Sequence, residues 1–342
     1  MKKILLTGAT GRVGANLVPA LLKEGYEVRA FIMKNDQQKA KLTNFDVEIF
    51  EGCMWDNNDA DKAVAGCDIL IHLAAAMLVG NLSERKFWDI NVTSTFELVR
   101  AAVRHKLSRI QLASTDATYT AWNYKYLPMD ENHPQEPFFI YGLTKQVCEN
   151  IVNEAKRESG IPSVIMRFVR VVACDEILRN FRVCDLYKKL HGYPANPYSI
   201  AYNPKQPEPW KQLEDLMAKN PDSLIIPLAK DLRSWREQYV DVRDLVTGIM
   251  LCLEKDEAVN DAFNLTAPGA TTWSEGVKYL SSKTGGQPYI ERIIENYWDY
   301  EVSHEKAKRI LGYQPQYDIT RMIDDALRFS KGEDIGVIPP LV

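Results

Sequence analysis

Thr7-Gly8-Ala9-Thr10-Gly11-Arg12-Val13-Gly14 stands between a short apolar run, Ile4-Leu5-Leu6, and a helical pattern reaching from Val13 to Lys23. A glycine-rich turn that ends a strand and opens a helix is the start of a dinucleotide-binding unit. Gly8 permits the tight turn, Gly11 lets the backbone approach a pyrophosphate, and Gly14 lets the helix pack closely on the strand. The helix N-terminus then turns free N–H groups and the positive end of its dipole toward the anion. Three glycines elsewhere would mark a turn that binds nothing. In this setting they assign Gly8, Thr10, Gly11, Arg12, Val13 and Gly14 to a cofactor's phosphates.

The alternation that begins there continues outward. Glu27–Ile32, Val47–Phe50, Asp68–Leu73, Arg109–Ala113 and Ser163–Arg167 read as apolar strands, separated by helical patterns around Asn91–His105 and Tyr141–Ser159. Buried strands joined by helices mean an α/β fold, a doubly wound parallel sheet of the Rossmann type. Pro19 lies inside the first helix and removes its bond to Ala15, which predicts a mild kink and not a stop. After Val172 the texture changes. Five prolines lie between Pro194 and Pro209, interleaved with Tyr193, Tyr198, Tyr202 and Trp210, a density that forbids regular structure and suggests an ordered loop or lid. Gln238–Val242 reads as a strand returning to the sheet, with a helix from Asp244, and Ala262–Leu265 as a later strand. The expected division is a dinucleotide unit, 1–172 with 236–265, and a smaller substrate unit, 173–235 with 266–342.

At 342 residues the chain is long enough for two cores, and its 46% hydrophobic and 26% charged composition excludes disorder. A net charge of −4 offers no excess cation for a nucleic-acid backbone. No apolar run approaches the roughly 20 residues of a membrane span. Met1-Lys2-Lys3-Ile4-Leu5-Leu6 imitates a secretory signal only until Thr7-Gly8. The six cysteines form no CxxC pair and no cluster with zinc spacing, so no metal is expected and free thiols in a cytoplasmic protein are the economical reading.

Cofactor type follows from the second strand's end. Many dinucleotide folds place there an acid for the ribose 2′-OH. Here the strand closes on Ile32-Met33-Lys34 and the nearest acid, Asp36, falls in the loop beyond. Arg12 and Lys34 bring positive charge instead, which favours a 2′-phosphate: NADP is preferred, with NAD the alternative. Two Tyr-x-x-x-Lys matches occur, Tyr141–Lys145 and Tyr279–Lys283. With sixteen tyrosines in the chain the spacing alone proves nothing; position separates the two. Tyr141 opens a helix between two strands of the sheet and can reach their carboxyl ends, whereas Tyr279 lies far downstream. Lys145, one turn along on the same face, together with a nicotinamide cation nearby, favours phenolate and lowers the tyrosine pKa from its ordinary value of about 10, which suits proton exchange near neutral pH. Ser114-Thr115-Asp116, at the end of the fifth strand, is placed to offer a hydroxyl to the reacting oxygen.

These pieces taken together resemble the extended short-chain dehydrogenase/reductase superfamily, the group that includes NAD-dependent epimerases and dehydratases. The resemblance rests on Thr7 to Gly14, Ile71-His72-Leu73-Ala74-Ala75, Asn91-Val92-Thr93, Tyr141 to Lys145, Val240-Asp241-Val242-Arg243-Asp244, and Lys306 to Gly312. It implies that Tyr141 is the acid/base, Lys145 its cofactor-ribose and pKa-lowering partner, and Thr115 the hydroxyl donor. It also extends the cofactor contacts to Met33, Lys34, Cys53, Met54, Leu73, Ala74, Ala75, Asn91, Phe168 and Val169. Substrate contacts are implied for Met77, Thr115, Asp116, Tyr141 and Arg170. Homodimerisation through the helices from Asn91 and Tyr141 is implied as well.

Three departures narrow the chemistry. Ala117 stands where dehydratase-like members carry a glutamate, which removes the base for eliminating water. Arg170 replaces the asparagine of Arg-x-x-Asn and no Gly-Pro turn follows, which departs from a standard nucleotide-diphosphate sugar site. Gly52-Cys53-Met54 holds no adenine-side aspartate. The resulting expectation is an NAD(P)-dependent oxidoreductase acting on a secondary alcohol or ketone of a small polar or sugar-like substrate. The alternatives are a sugar or nucleotide-sugar epimerase and a non-catalytic dinucleotide sensor. Arg170 is expected in the substrate pocket, selecting an anionic or polyhydroxylated molecule, unless a carboxylate such as Asp116 takes its charge.

Overall fold

The computed structural model describes residues 1–77, 82–119, 124–137, 139–191, 208–295 and 298–340. The proline- and aromatic-rich stretch lies, up to residue 207, outside the described residues. Seven parallel strands build the main sheet: β1 (Lys3–Thr7), β2 (Glu27–Ile32), β3 (Glu48–Glu51), β4 (Ile69–His72), β5 (Arg109–Thr115), β6 (Ser163–Phe168) and, late in the chain, β11 (Asp261–Leu265). Their order is β11-β6-β5-β4-β1-β2-β3. Chain order reverses beside β1, and ligands of such sheets bind in the crevice at the carboxyl ends of the strands next to that point. Register brings Thr7 beside His72, and Thr115 beside Phe168, along that edge.

Alternation along each strand decides which face it serves. Ile4, Leu6, Ile69, Ile71, Val164 and Met166 pack with Leu17, Val18 and Leu21 of α1 (Arg12–Lys23) and Ile249 and Leu253 of α8 (Val242–Glu254). Leu5, Leu70, Ile110 and Leu112 turn the other way, against α2 (Asn57–Val64), α4 (Ser94–Arg104) and α5 (Ile140–Ser159). Each such side chain contributes about 1.5–3 kcal/mol on burial. Helix α1 runs through Pro19 without ending. A short α3 (Glu84–Trp88) reaches α4 through one π turn, Asp89–Thr93, which places Asn91 at a widened point of the helix.

A second core gathers α6 (Val183–His191), β8 (Leu224–Leu228), α9 (Trp273–Lys283) and α11 (Ile319–Ser330) around Phe181, Trp235 and Trp273. Phe181 meets Trp273 edge-on at 5.6 Å. Short α7 (Glu214–Lys219) adjoins it, β8 pairs with β13 (Tyr289–Ile293), and β9 (Arg236–Glu237) pairs with β12 (Thr271–Thr272). The strand expected at 238–242 does not return to the main sheet. Shortened to β10 (Tyr239–Asp241), it pairs with β7 (Arg170–Val172) in a separate two-stranded ribbon, and β11 takes the edge beside β6. Residues of the expected substrate unit also reach the first core: Tyr300, Val302 and Tyr313 pack there beside Ala307 and Leu311 of α10 (Glu305–Leu311). Among the described residues no helix is long and apolar enough to cross a membrane.

Candidate active site

A cleft of about 680 Å³ opens along the carboxyl edge of the sheet, from the glycine loop to the start of α5. Its floor exists because β1 and α1 nearly touch. A Cβ on Gly14 would lie 2.1 Å from the carbonyl oxygen of Gly8, so no larger residue fits there. Gly11 N-caps α1 with no side-chain cap, which leaves the first-turn N–H groups facing the cleft. That is the donor set a pyrophosphate needs.

At the outer end the charges are arranged differently from the expectation. Arg12 lines the cleft, but its guanidinium is held by Glu176, with Nε donating to Oε2 at 2.8 Å and Nη2 to Oε1 at 2.5 Å. Lys34 is exposed and is not among the lining residues. The acid that sequence reasoning left in the loop comes back: Asp36 lines the cleft, accepting from Thr10 Oγ1 at 2.7 Å and from the Gln38 amide at 2.8 Å. Asn35, at φ 61°, makes the reversal. Met33 and Met54 line the cleft as expected; Cys53 does not, and its amide N–H donates to Asp59. Trp55 was missed.

In the middle, Leu73, Ala74, Ala75 and Met77 form the wall after β4. Asn91 stands behind that wall and not in the cleft. It is buried, its Oδ1 accepts from the Ala76 amide at 2.7 Å, and its Nδ2 donates to Thr144 Oγ1 at 2.9 Å. It ties the wall to the first turn of α5. His72 hydrogen-bonds Thr7 Oγ1 at 2.7 Å and Thr95 Oγ1 at 3.0 Å. Burial pulls its pKa down to about 3, so it stays neutral and structural.

At the inner end the structure brings together Thr115, Asp116, Tyr141 and Lys145. A Cβ on Gly142 would sit 2.2 Å from the Ala117 carbonyl oxygen, so glycine there lets α5 start against the end of β5. This close approach sets Tyr141 beside Thr115 in the lining of the cleft, and the Thr115 hydroxyl donates to Asp116 Oδ1 at 3.0 Å. Phe139, unforeseen, stacks near Tyr141 with ring centres 6.3 Å apart. The protein's own groups act on the Tyr141 phenol in the sense opposite to that expected of Lys145 and a nicotinamide cation together. Burial pushes the phenol well above its ordinary value, and the Asp116 charge adds to the push. Burial raises Asp116 itself to about 6 and holds Lys145 below the usual lysine range. Behind these groups Ser114 Oγ and Gln135 Nε2 both donate to Glu149, which pairs with Arg167 at 2.7 Å in the interior. This network clamps β5, α5 and β6 together.

Phe168, Val169 and Arg170 line the remaining wall. Arg170 is 44% exposed; its Nη2 donates to Asn180 Oδ1 at 2.8 Å, and Asp185 and Glu237 each stand 3.9 Å away. Asp116 is not its partner. The Val240–Asp244 run serves the frame: Asp241 caps α8 and pairs with Arg243, while Asp244 accepts the amides of Gln316 and Tyr317.

The model of the NAD-dependent epimerase/dehydratase family matches residues 4–266. A UDP-glucose 4-epimerase of Rhizobium meliloti is 24% identical over 97% of this chain and 98% of its own length. A 4-hydroxy-2-methyl-3-oxo-4-farnesyl-3,4-dihydroquinoline-1-oxide ketoreductase of Stigmatella aurantiaca is 30% identical over 48% of this chain and 49% of its own. Among solved structures, a short-chain dehydrogenase/reductase superfamily protein from Agrobacterium tumefaciens with bound NAD is 25% identical. Its TM-score is 0.81, covering 97% of this chain and all of that one.

Proposed function

The chain belongs to the NAD-dependent epimerase/dehydratase family, and on that premise we propose that it epimerises a secondary alcohol of a sugar or nucleotide sugar. The carrying observation is the Thr115–Tyr141 hydroxyl pair with Lys145 one turn along, set in the same cleft as the glycine loop. Full-length relatives named as UDP-glucose 4-epimerases support epimerisation over the net oxidoreductase that the residues alone suggest. Ala117 speaks against the dehydratase branch.

The cofactor fits the cleft as NAD. The α1 amides would hold the pyrophosphate, Asp36 the adenosine ribose hydroxyls and Lys145 those of the nicotinamide ribose. A 2′-phosphate would meet the Asp36 carboxylate, while the charge of Arg12 is already taken by Glu176. A bound NAD would supply reversible hydride acceptance at the alcohol carbon. Tyr141 accepts the hydroxyl proton during oxidation and gives it back, and Thr115 holds the same oxygen throughout. Lys145 offsets the Asp116 charge that disfavours phenolate. An intermediate ketone that turned its opposite face toward the cofactor before re-reduction would be inverted at that carbon with no net redox change.

A second reading, net ketone reduction, is favoured by Arg170 at the asparagine position and by the ketoreductase likeness over about half of the chain. Incubating the purified protein with UDP-sugars separates the two. Epimerisation yields the inverted sugar by NMR with retained NAD and unchanged nicotinamide absorbance; net reduction consumes added NADH and leaves UDP-sugars untouched. The proposal includes a homodimer, supported by Trp88, Phe96 and Leu143, exposed on or beside α4 and α5. It includes the division into a dinucleotide unit and a smaller substrate unit, and a cytoplasmic setting, supported by six free cysteines.

A further inference from the structure

After α11 the chain crosses the seam between the two cores and ends its described course against the glycine loop. Val337 packs with Ala173, Cys174 and Val242. Asn16 of α1 pairs with Ile338 through both halves of its amide: Nδ2 donates to the Ile338 carbonyl at 3.0 Å, and the Ile338 N–H donates to Oδ1 at 2.8 Å. Lys41 completes the link. It is 7% exposed, and its Nζ donates to the Thr10 carbonyl at 3.0 Å and to the Pro340 carbonyl at 2.6 Å. The Thr10 carbonyl belongs to the peptide unit whose N–H, on Gly11, donates to Gly8 at 3.0 Å. One peptide of the glycine loop is therefore gripped at both ends, and one grip runs through residues 335–340.

We propose that Lys41 and the 335–340 strap form a latch on the glycine loop that sets how long a dinucleotide stays bound. The proposal rests on the reading that this loop holds the pyrophosphate. A gripped loop keeps its N–H groups aimed at the anion; a released one must be ordered again at each binding event. The buried ammonium adds a fixed positive charge beside a site for two phosphates. Lys41 touches the loop and the strap, and acts on the ligand through them as a positioning residue.

The test is the rate at which NAD leaves wild type, Lys41→Met, Asn16→Ala, Lys41→Arg and a chain lacking residues 335–342, followed by stopped-flow displacement. Release should be roughly tenfold faster in Lys41→Met and in the shortened chain, the loss expected for one well-placed charged hydrogen bond. Combining the two changes should add little, because both open one latch. Lys41→Arg should restore slow release. ADP, which carries the two phosphates without the nicotinamide, should lose affinity by the same factor. Wild-type release rates in Lys41→Met and Asn16→Ala, at unchanged melting temperature, overturn the latch while leaving the cofactor reading intact. Wild type that binds neither NAD nor ADP overturns the cofactor reading, and the latch with it. If the shortened chain fails to fold, the point variants decide.

Discussion

Tyr141–Lys145 and Tyr279–Lys283 share one spacing on one kind of helix, and the fold treats them in opposite ways. Lys145 is buried, and desolvation makes its charge costly. Lys283 is solvated; its contact with Tyr279 and its 3.0 Å pair with Asp324 hold it above the usual lysine range. Tyr141 lies beside Thr115 in the lining of a cleft that has room for a ligand. The Tyr279 phenol instead donates to Asp324 at 2.8 Å, so α9 and α11 consume its hydrogen bond between them. Spacing puts two side chains on one face, but only the neighbours decide whether a proton there has anywhere to go.

The contrast yields graded expectations. Tyr141→Phe removes the phenolic proton assigned to the transfer and should lower turnover by about 10²–10⁴, leaving NAD affinity within a few-fold. Wild-type turnover in that variant would erase the distinction between the two pairs. Lys145→Met should weaken NAD binding and slow turnover together, each by roughly tenfold or more, if Lys145 makes the proposed charged hydrogen bond to the nicotinamide ribose. A calorimetric titration with unchanged affinity would reduce Lys145 to the structural status of Lys283.

Asp116→Asn probes the charge that distinguishes the inner pair. With the carboxylate gone the Tyr141 pKa falls, so the pH–rate profile for oxidation should move to lower pH. Stability carries a second sign. The folded Asp116 titrates at about 6, above its ordinary 3.8. Its contribution is therefore fully present below pH 3.8 and is lost as pH rises through about 6. Asp116→Asn should be more stable than wild type at pH 8, by on the order of 2 kcal/mol, and level with it near pH 4. Denaturant melts at both pH values check this. The smallest effect belongs to Tyr279→Phe: kinetics unchanged, and stability lower by only about 1 kcal/mol for one lost hydrogen bond.

What the residues disclosed in advance follows the range of the forces involved. Strand alternation and the glycine turn are local, and they located the first six strands of the sheet to within a residue or two. Thr115, Tyr141 and Lys145 were placed together by helix geometry and chain order. Gln238–Val242 misled because a five-residue run with three apolar members does not say which edge it joins; its partner β7 exists only because the chain breaks after Phe168. Arg12 looked free because Glu176 is 164 residues away. Asp36 looked remote because one left-handed residue, Asn35, reverses the chain toward Thr10. Asn91 was read as a ligand contact, yet the π turn aims its amide at Ala76 and Thr144. Signals for Asp36 and Arg12 exist in the chain, but neither can be weighed without the third dimension.

The placement of β11 at the end of the sheet bears on synthesis. A nascent chain that has just cleared Phe168 holds six of the seven strands, with β6 as an open, largely apolar edge. Its neighbour arrives about 90 residues later, roughly 5–20 s at typical elongation rates. During that interval the N-terminal half exposes a pairing template of the kind that recruits other chains. Slow translation through the second core therefore prolongs the period of greatest aggregation risk, and a chaperone that shields Ser163–Phe168 would act there before Asp261–Leu265 closes the edge.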